Sequence, residues 1–201
     1  MADDRWWRGF DALVVGRVAA HARVLDIGCG DGGFVKRLCA SGLAAMGVDP
    51  RAPPHPRLIA ERVEDVDSIG EFDAICAMMV LHHASLEGVV SAIRRLLRAP
   101  GQLFVYDLAW ECYDARAEAW LAVHDQSGAD NSASAWRLEH VDFHTGTTIR
   151  TALAAAVELR EESERPYLAR MLGKHDFEAE EQRLIAAGAL PALGGWYVGV
   201  R

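Results

Sequence analysis

Along the chain, short apolar runs alternate with stretches in which apolar residues recur every three or four positions, the order of strands and helices in an α/β domain. The runs RVLDI at 23–27, AAMGVD at 44–49, RLIA at 57–60, FDAICAMM at 72–79 and GQLFVYD at 101–107 are bounded by turn residues and predict strands. Helical spacing falls between them, at 33–40 and at 85–98, where Leu86, Val89, Val90, Ile93, Leu96 and Leu97 share one side. Strands that are apolar throughout belong to a parallel sheet covered on both faces.

From about 109 to 187 the alternation stops and the pattern predicts mostly helix, with a polar break at DQSGADNSAS, 125–134. Glu158, Glu161, Glu162 and Glu164 read as a solvated helix face. The end, GALPALGGWYVGVR, has two strand-like runs on either side of Gly194 and Gly195, and predicts a hairpin that brings an antiparallel strand into the sheet. Trp6, Trp7 and Phe10 make an aromatic cluster near the start, either a lid over a cleft or a buried anchor.

At 201 residues the chain suits a single domain, 1–201, with the helical stretch at about 109–175 as an insertion. Its 29 acidic and 21 basic residues give a net charge of -8, which disfavours a polyphosphate partner, and Arg94, Arg95 and Arg98 on one helix make only a small basic stripe. Cys29, Cys39, Cys76 and Cys112 form no C-x-x-C pair and point to a reducing compartment. The start, MADDRWWRGF, lacks a basic segment followed by an apolar one, and the longest apolar run, AICAMMVL at 74–81, is too short to span a bilayer. The expectation is a soluble, cytoplasmic protein without a membrane partner.

The chemistry concentrates in VLDIGCGDGGFVKRL, 24–38. Gly28, Gly30 and Gly33 spell the loop that sets a dinucleotide's pyrophosphate on a helix N-terminus, while Gly28, Gly30 and Gly32 spell a second loop behind Asp26. Asp49, ending the second strand, can accept hydrogen bonds from both hydroxyls of an adenosine ribose in either case. Asp26 separates the two, because a carboxylate at the loop mouth repels a pyrophosphate and attracts the ammonium and sulfonium of S-adenosylmethionine.

The stretch VLDIGCGDGGF resembles the first motif of the class I S-adenosylmethionine-dependent methyltransferases. MGVDP, FDAICAMMVLHH and IRRLLRAPGQLFVYD resemble the later motifs in the same order, so the likeness runs over roughly 20 to 108. It implies a Rossmann-like three-layer sandwich around a mostly parallel seven-stranded sheet whose C-terminal strand is antiparallel. It implies S-adenosylmethionine as cofactor, with Asp26, Gly28, Cys29 and Gly30 in the loop, Asp49 on the ribose and Pro50 beside the adenine. Aligning ERVEDV with the third motif places Arg62 and Val63 at the adenine amino group, where the family usually has an acidic or small polar residue, and leaves the Val63 amide as the ring contact. Met78 and Met79, at the carboxyl edge of the fourth strand, divide between core and adenosine.

The expected reaction moves a methyl group to an oxygen or nitrogen of a small-molecule acceptor by in-line displacement, with no metal. His83, after the fourth strand, is one candidate general base. HVDFH supplies two more, His140 and His144, on one face with Asp142 if the run is extended. Trp7, Tyr106 and Tyr167 are candidate substrate contacts. The rival readings are an NAD-dependent oxidoreductase, a methyltransferase acting on RNA or protein, and a protein that binds S-adenosylmethionine without turnover.

Overall fold

The computed structural model describes residue 7 and residues 9–67 and 69–201, so Trp6 lies outside the described residues. Seven strands, β1 (Arg23–Ile27), β2 (Ala44–Val48), β3 (Leu58–Ile59), β4 (Phe72–Met78), β5 (Leu97–Leu108), β6 (Glu158–Arg165) and β7 (Gly194–Val200), form one sheet in the order β3-β2-β1-β4-β5-β7-β6. Every pairing among β1 to β5 is parallel, and β7 runs antiparallel to both of its neighbours, β5 and β6. The expected mostly parallel sheet of seven strands with an antiparallel C-terminal strand is therefore present.

The helices are α1 (Phe10–Val15), α2 (Gly33–Ala40), α3 (Leu86–Leu96), α4 (Ala115–His124), α5 (Ala133–His140), α6 (Gly146–Ala156), α7 (Leu168–Met171) and α8 (Glu178–Ala186). β1 and β4 are buried along almost their whole length because helices close both faces of the sheet. Phe10 and Val14 of α1, with Phe34, Val35 and Leu38 of α2, pack on one face. Val89, Ile93 and Leu96 of α3, with Ile149 and Leu153 of α6, pack on the other. The remaining helices, α4, α5, α7 and α8, gather around Tyr113, Trp120, Trp136 and Tyr167 beside the end of β5.

α3 follows from its own sequence: Ser85 caps it through the Gly88 amide, Glu87 stands in the first turn, and Arg94 and Arg95 stand in the last. The expected stripe of three arginines on one helix is not formed, because α3 ends at Leu96 and Arg98 stands on β5, and all three hold the chain's own groups. Arg95 donates to the carbonyls of Val66 at 2.7 Å and Val63 at 3.3 Å, Arg98 pairs with Asp73 at 2.7 Å, and Arg94 donates to the Ala155 carbonyl.

Three sequence expectations give way here. The stretch read as helix through 187 is interrupted by β6, and Glu158, Glu161, Glu162 and Glu164 stand on that strand rather than on a helix face. β6 is an edge strand with few apolar positions; β7 pairs along it, and Arg17 binds Glu161 and Arg150 binds Glu162, both at 2.6 Å. Gly194 and Gly195 make no hairpin turn. They open β7, where a side chain on Gly194 would lie 2.8 Å from the Tyr106 ring and 2.9 Å from the Arg165 carbonyl. No helix among the described residues is long and apolar enough to cross a membrane.

Candidate active site

At the carboxyl ends of β1, β2 and β4 the sheet opens into a cleft of about 480 Å³, bordered by Gly28, Asp49, Val63, Val80, His83 and Phe143. Ligands of open parallel sheets bind at this edge, where strand order reverses direction on either side of β1.

Gly28 turns the chain out of β1 with a φ of 75°, and its amide donates to the Val48 carbonyl at 2.8 Å. A Cβ there would lie 2.6 Å from Val80, so glycine is required both by the left-handed backbone and by the approach of β4's exit. The Gly30 amide donates to Asp49 Oδ2 at 3.2 Å, and the Arg51 amide donates to Asp49 Oδ1 at 2.7 Å. Asp49 is 6% exposed, so loop and turn together fix its carboxylate at the cleft.

Asp26 is 3% exposed and has no hydrogen-bond partner among the described residues. Burial, aided by the nearby Asp49 charge, holds it well above the usual carboxylate range. A positively charged group brought next to it would favour its ionised form. The Val63 amide likewise donates to no described acceptor, while the Val63 carbonyl is anchored by Arg95. These groups fit a ligand that carries positive charge at one end, a ribose in the middle and a ring that takes an amide hydrogen bond at the other.

Gly28, Asp49, Pro50, Arg62 and Val63 line the cleft, with Pro50 and the exposed Arg62 at its rim, while Gly30 and Asp26 stand beside Asp49 without lining it. Cys29 is placed differently: it packs against Gly47 of β2, and burial pushes its thiol up to about 12. Met78 and Met79 are half-buried on the α1 and α2 side, and Met79, at a φ of 54°, also touches the aromatic helical cluster.

The candidate bases separate. His83 is exposed at the cleft and held below its ordinary value by burial and by the adjacent His82. His140 ends a helix instead of starting an extended run, its Nδ1 2.8 Å from the Trp136 carbonyl and its ring stacked on Trp136. His144 Nε2 lies 3.0 Å from the Ala84 carbonyl. The shared face expected for His140, Asp142 and His144 is therefore absent, because the helix and the turn after it replace the strand geometry.

Of the expected substrate contacts, Tyr106 is wholly buried and donates its hydroxyl to the Pro166 carbonyl at 2.8 Å, a core position rather than a cavity wall. Tyr167 packs edge-on against Trp136 inside the helical cluster. Trp7 lies over the first turn of α2, where a side chain on Gly33 would meet it at 2.4 Å.

The sequence reading missed one pair. His82 Nδ1 lies 2.5 Å from Asp107 Oδ1, and both residues are buried next to the cleft wall. The pair depends on register between strands, which the sequence does not state: Met78 pairs with Tyr106, so the residues just after β4 lie near Asp107.

The glycine loop, the carboxylate at the end of β2 and the sheet order together are those of a class I S-adenosylmethionine-dependent methyltransferase. A model described as "Methyltransferase domain" matches residues 9–156, and the chain belongs to that family, with S-adenosylmethionine as its cofactor. The ubiquinone biosynthesis O-methyltransferase of Xanthomonas oryzae pv. oryzae is 31% identical over 105 residues, covering 44% of this chain and 44% of that protein. The chain thus matches less than half the length of that curated relative. Among solved structures, the 1,6-didemethyltoxoflavin-N1-methyltransferase of Burkholderia thailandensis, with 1,6-didemethyltoxoflavin and S-adenosylhomocysteine bound, is similar at a TM-score of 0.59 and 16% identity, covering 100% of this chain and 79% of that one. The N-methyltransferase NodS of Bradyrhizobium japonicum, in complex with S-adenosylhomocysteine, is similar at 0.57 and 18%, covering 100% and 89%.

Proposed function

We propose that the protein transfers a methyl group from S-adenosylmethionine to an oxygen or nitrogen of a small-molecule acceptor. The observation that carries this reading is the roof beside the cleft. After β5 the chain folds into helices whose aromatic core covers the carboxyl end of that strand. The roof is stitched to the cleft wall: Trp110 Nε1 donates to the Phe143 carbonyl at 3.2 Å, and the His144 amide donates to the His82 carbonyl at 2.7 Å. Helices packed beside the cleft, with Phe143 at its wall, favour a compact acceptor over a polymer.

When bound, the cofactor supplies a methyl group already activated by the sulfonium. The work left to the chain is alignment and exclusion of water. Asp49 and the Gly28 to Gly30 loop fix the ribose side, Asp26 faces the cationic end, and the insertion at about 109–175 recognises the acceptor. The four cysteines are free thiols, in keeping with a cytoplasmic setting.

The test is incubation with methyl-labelled cofactor and parallel sets of phenols, amines, a peptide mixture and total RNA. Label in phenols or amines is the expected result. Label confined to peptide or RNA would refute the reading.

A further inference from the structure

β6 ends on an arginine whose charge no described residue answers. Alternate residues of the strand face opposite sides of the sheet: Glu162 and Glu164 face the α6 side with Tyr197, whereas Glu161, Ser163 and Arg165 face the α1 side with Trp196 and Val198. Glu161, the carboxylate on Arg165's own side, is taken by Arg17 at 2.6 Å, and Glu162 is taken by Arg150 at 2.6 Å. The Arg165 side chain makes no hydrogen bond and no ion pair among the described residues, and its Nε is buried. Its guanidinium carbon lies 3.9 Å from the centre of the Trp196 ring. Burial and the like charge of Arg170 hold the group below its ordinary value, while Arg170 itself is paired with Glu178 at 3.5 Å.

Trp196 Nε1 is a second buried donor without an acceptor among the described residues. Its indole packs edge-on against Phe10 at 5.9 Å and Tyr106 at 6.3 Å, and the Tyr106 hydroxyl is committed to the Pro166 carbonyl. A buried donor left unmade costs stability, and here two of them touch. Both groups are donors only, so an acceptor completes them, and the guanidinium charge makes that acceptor an anion. Both residues are half-buried, so neither is sealed in the core. The pair also lies in the row that leads to the glycine loop: Trp196 pairs with Tyr106, Tyr106 pairs with Met78, and all three pack on the α1 side. Gly28 follows Ile27, the partner of Ala77, so three strand spacings of about 4.8 Å put Trp196 roughly 14 Å from it. The ammonium and carboxylate of S-adenosylmethionine share one carbon, so an ammonium facing Asp26 keeps the cofactor's own carboxylate at the loop.

We propose that Arg165 and Trp196 Nε1 form a subsite for a carboxylate carried by the methyl acceptor. This rests on the small-molecule reading above and narrows it to acidic acceptors, with the reacting oxygen or nitrogen near β4 and the carboxylate several bonds away over β7. The planar guanidinium stacked on the indole offers donors in the fork that suits two carboxylate oxygens. Arg165 determines specificity and touches no reacting atom, so its loss shows in KM rather than in kcat.

The test measures label transfer to matched pairs that differ in charge alone, 3-(4-hydroxyphenyl)propanoate with its amide and 3-(4-aminophenyl)propanoate with its amide. Alongside, 3-phenylpropanoate, which offers no acceptor atom, is titrated into the S-adenosylhomocysteine complex. Wild type is expected to favour each acid over its amide by about ten- to a hundredfold in kcat/KM, and Arg165→Gln to lose that preference through KM with kcat nearly unchanged. Wild type is expected to bind 3-phenylpropanoate about tenfold or more tighter than Arg165→Gln, with Trp196→Phe, which keeps a ring and drops the donor, in between. Affinity for S-adenosylhomocysteine stays within about threefold in both variants, which shows that they fold and that the carboxylate is not the cofactor's. Equal binding of 3-phenylpropanoate by wild type and Arg165→Gln, including none by either, or equal transfer to acid and amide, would overturn the subsite alone. A large loss of S-adenosylhomocysteine affinity in a folded Arg165→Gln would give the anion to the cofactor and overturn it too. Label confined to peptide or RNA would overturn the small-molecule reading, and the subsite with it.

Discussion

Asp49→Ala separates cofactor recognition from folding most cleanly. The carboxylate is 6% exposed and already oriented by the Gly30 and Arg51 amides, so under the proposed assignment its remaining lone pairs would meet a ribose without reorganisation. Two hydrogen bonds from a diol to a carboxylate are worth about 1.5–3 kcal/mol each. Taking the lower figure for both, the variant loses about 3 kcal/mol of binding, close to a hundredfold in Kd. The two amides it leaves behind sit at the cleft, where water replaces the carboxylate, so the folding cost is about 1 kcal/mol and Tm falls by roughly 2–4 °C. Removing Asp49 also relieves Asp26, whose ionisation the Asp49 charge opposes, and this attracts the cofactor's ammonium and keeps the net loss near the lower figure. Isothermal titration with S-adenosylhomocysteine, beside calorimetric melting of the same samples, measures both quantities. A Kd within threefold of wild type in a folded variant would refute the ribose assignment.

Gly28→Ala places a Cβ 2.6 Å from Val80 on a backbone at a φ of 75°, so it should destabilise by about 1–3 kcal/mol in urea, with part of the loss recovered by adding Val80→Ala. Asp26, raised by burial, binds a proton in the folded protein that the unfolded chain has lost, so cofactor-free stability should fall as pH rises from the ordinary carboxylate range through its raised value. A cationic ligand favours the carboxylate, so binding below that value should release a proton, seen as buffer-dependent titration heats that vanish in Asp26→Asn; buffer-independent heats in wild type would contradict this. Glu181 is fully buried and accepts the amides of Tyr167, Leu168 and Ala169 at 2.8, 2.9 and 2.8 Å. Glu181→Ala should cost about 3 kcal/mol, a Tm drop of roughly 6–12 °C, and speed proteolysis near α7 without changing S-adenosylhomocysteine affinity.

The parts of the fold visible in the sequence are those that local chemistry dictates. β1 and β4 are apolar because both faces are covered, and the loop from Asp26 through Gly30 carries its glycines where the backbone needs them. β6 was invisible because ELREESER holds one leucine among charges; the strand exists through its pairing with β7 and its ion pairs with Arg17 and Arg150. Gly194 and Gly195 looked like a turn because turns and close packing both demand glycine, and here Gly194 makes room for Tyr106. The site divides the same way. The place of Asp49 at the cleft follows from its strand end, whereas the His82 to Asp107 pair spans two strands and depends on register between β4 and β5. Alternate-position spacing fails for His140 because its segment ends a helix capped at Ser132.

The most direct test of the account is where the methyl group goes. Purified protein is incubated with tritiated S-adenosylmethionine and a cell extract separated into small-molecule, protein and RNA fractions, and the label is counted in each. The account predicts label in the small-molecule fraction, lost with Asp49→Ala. Label in protein or RNA, with the small-molecule fraction unlabelled, would contradict it.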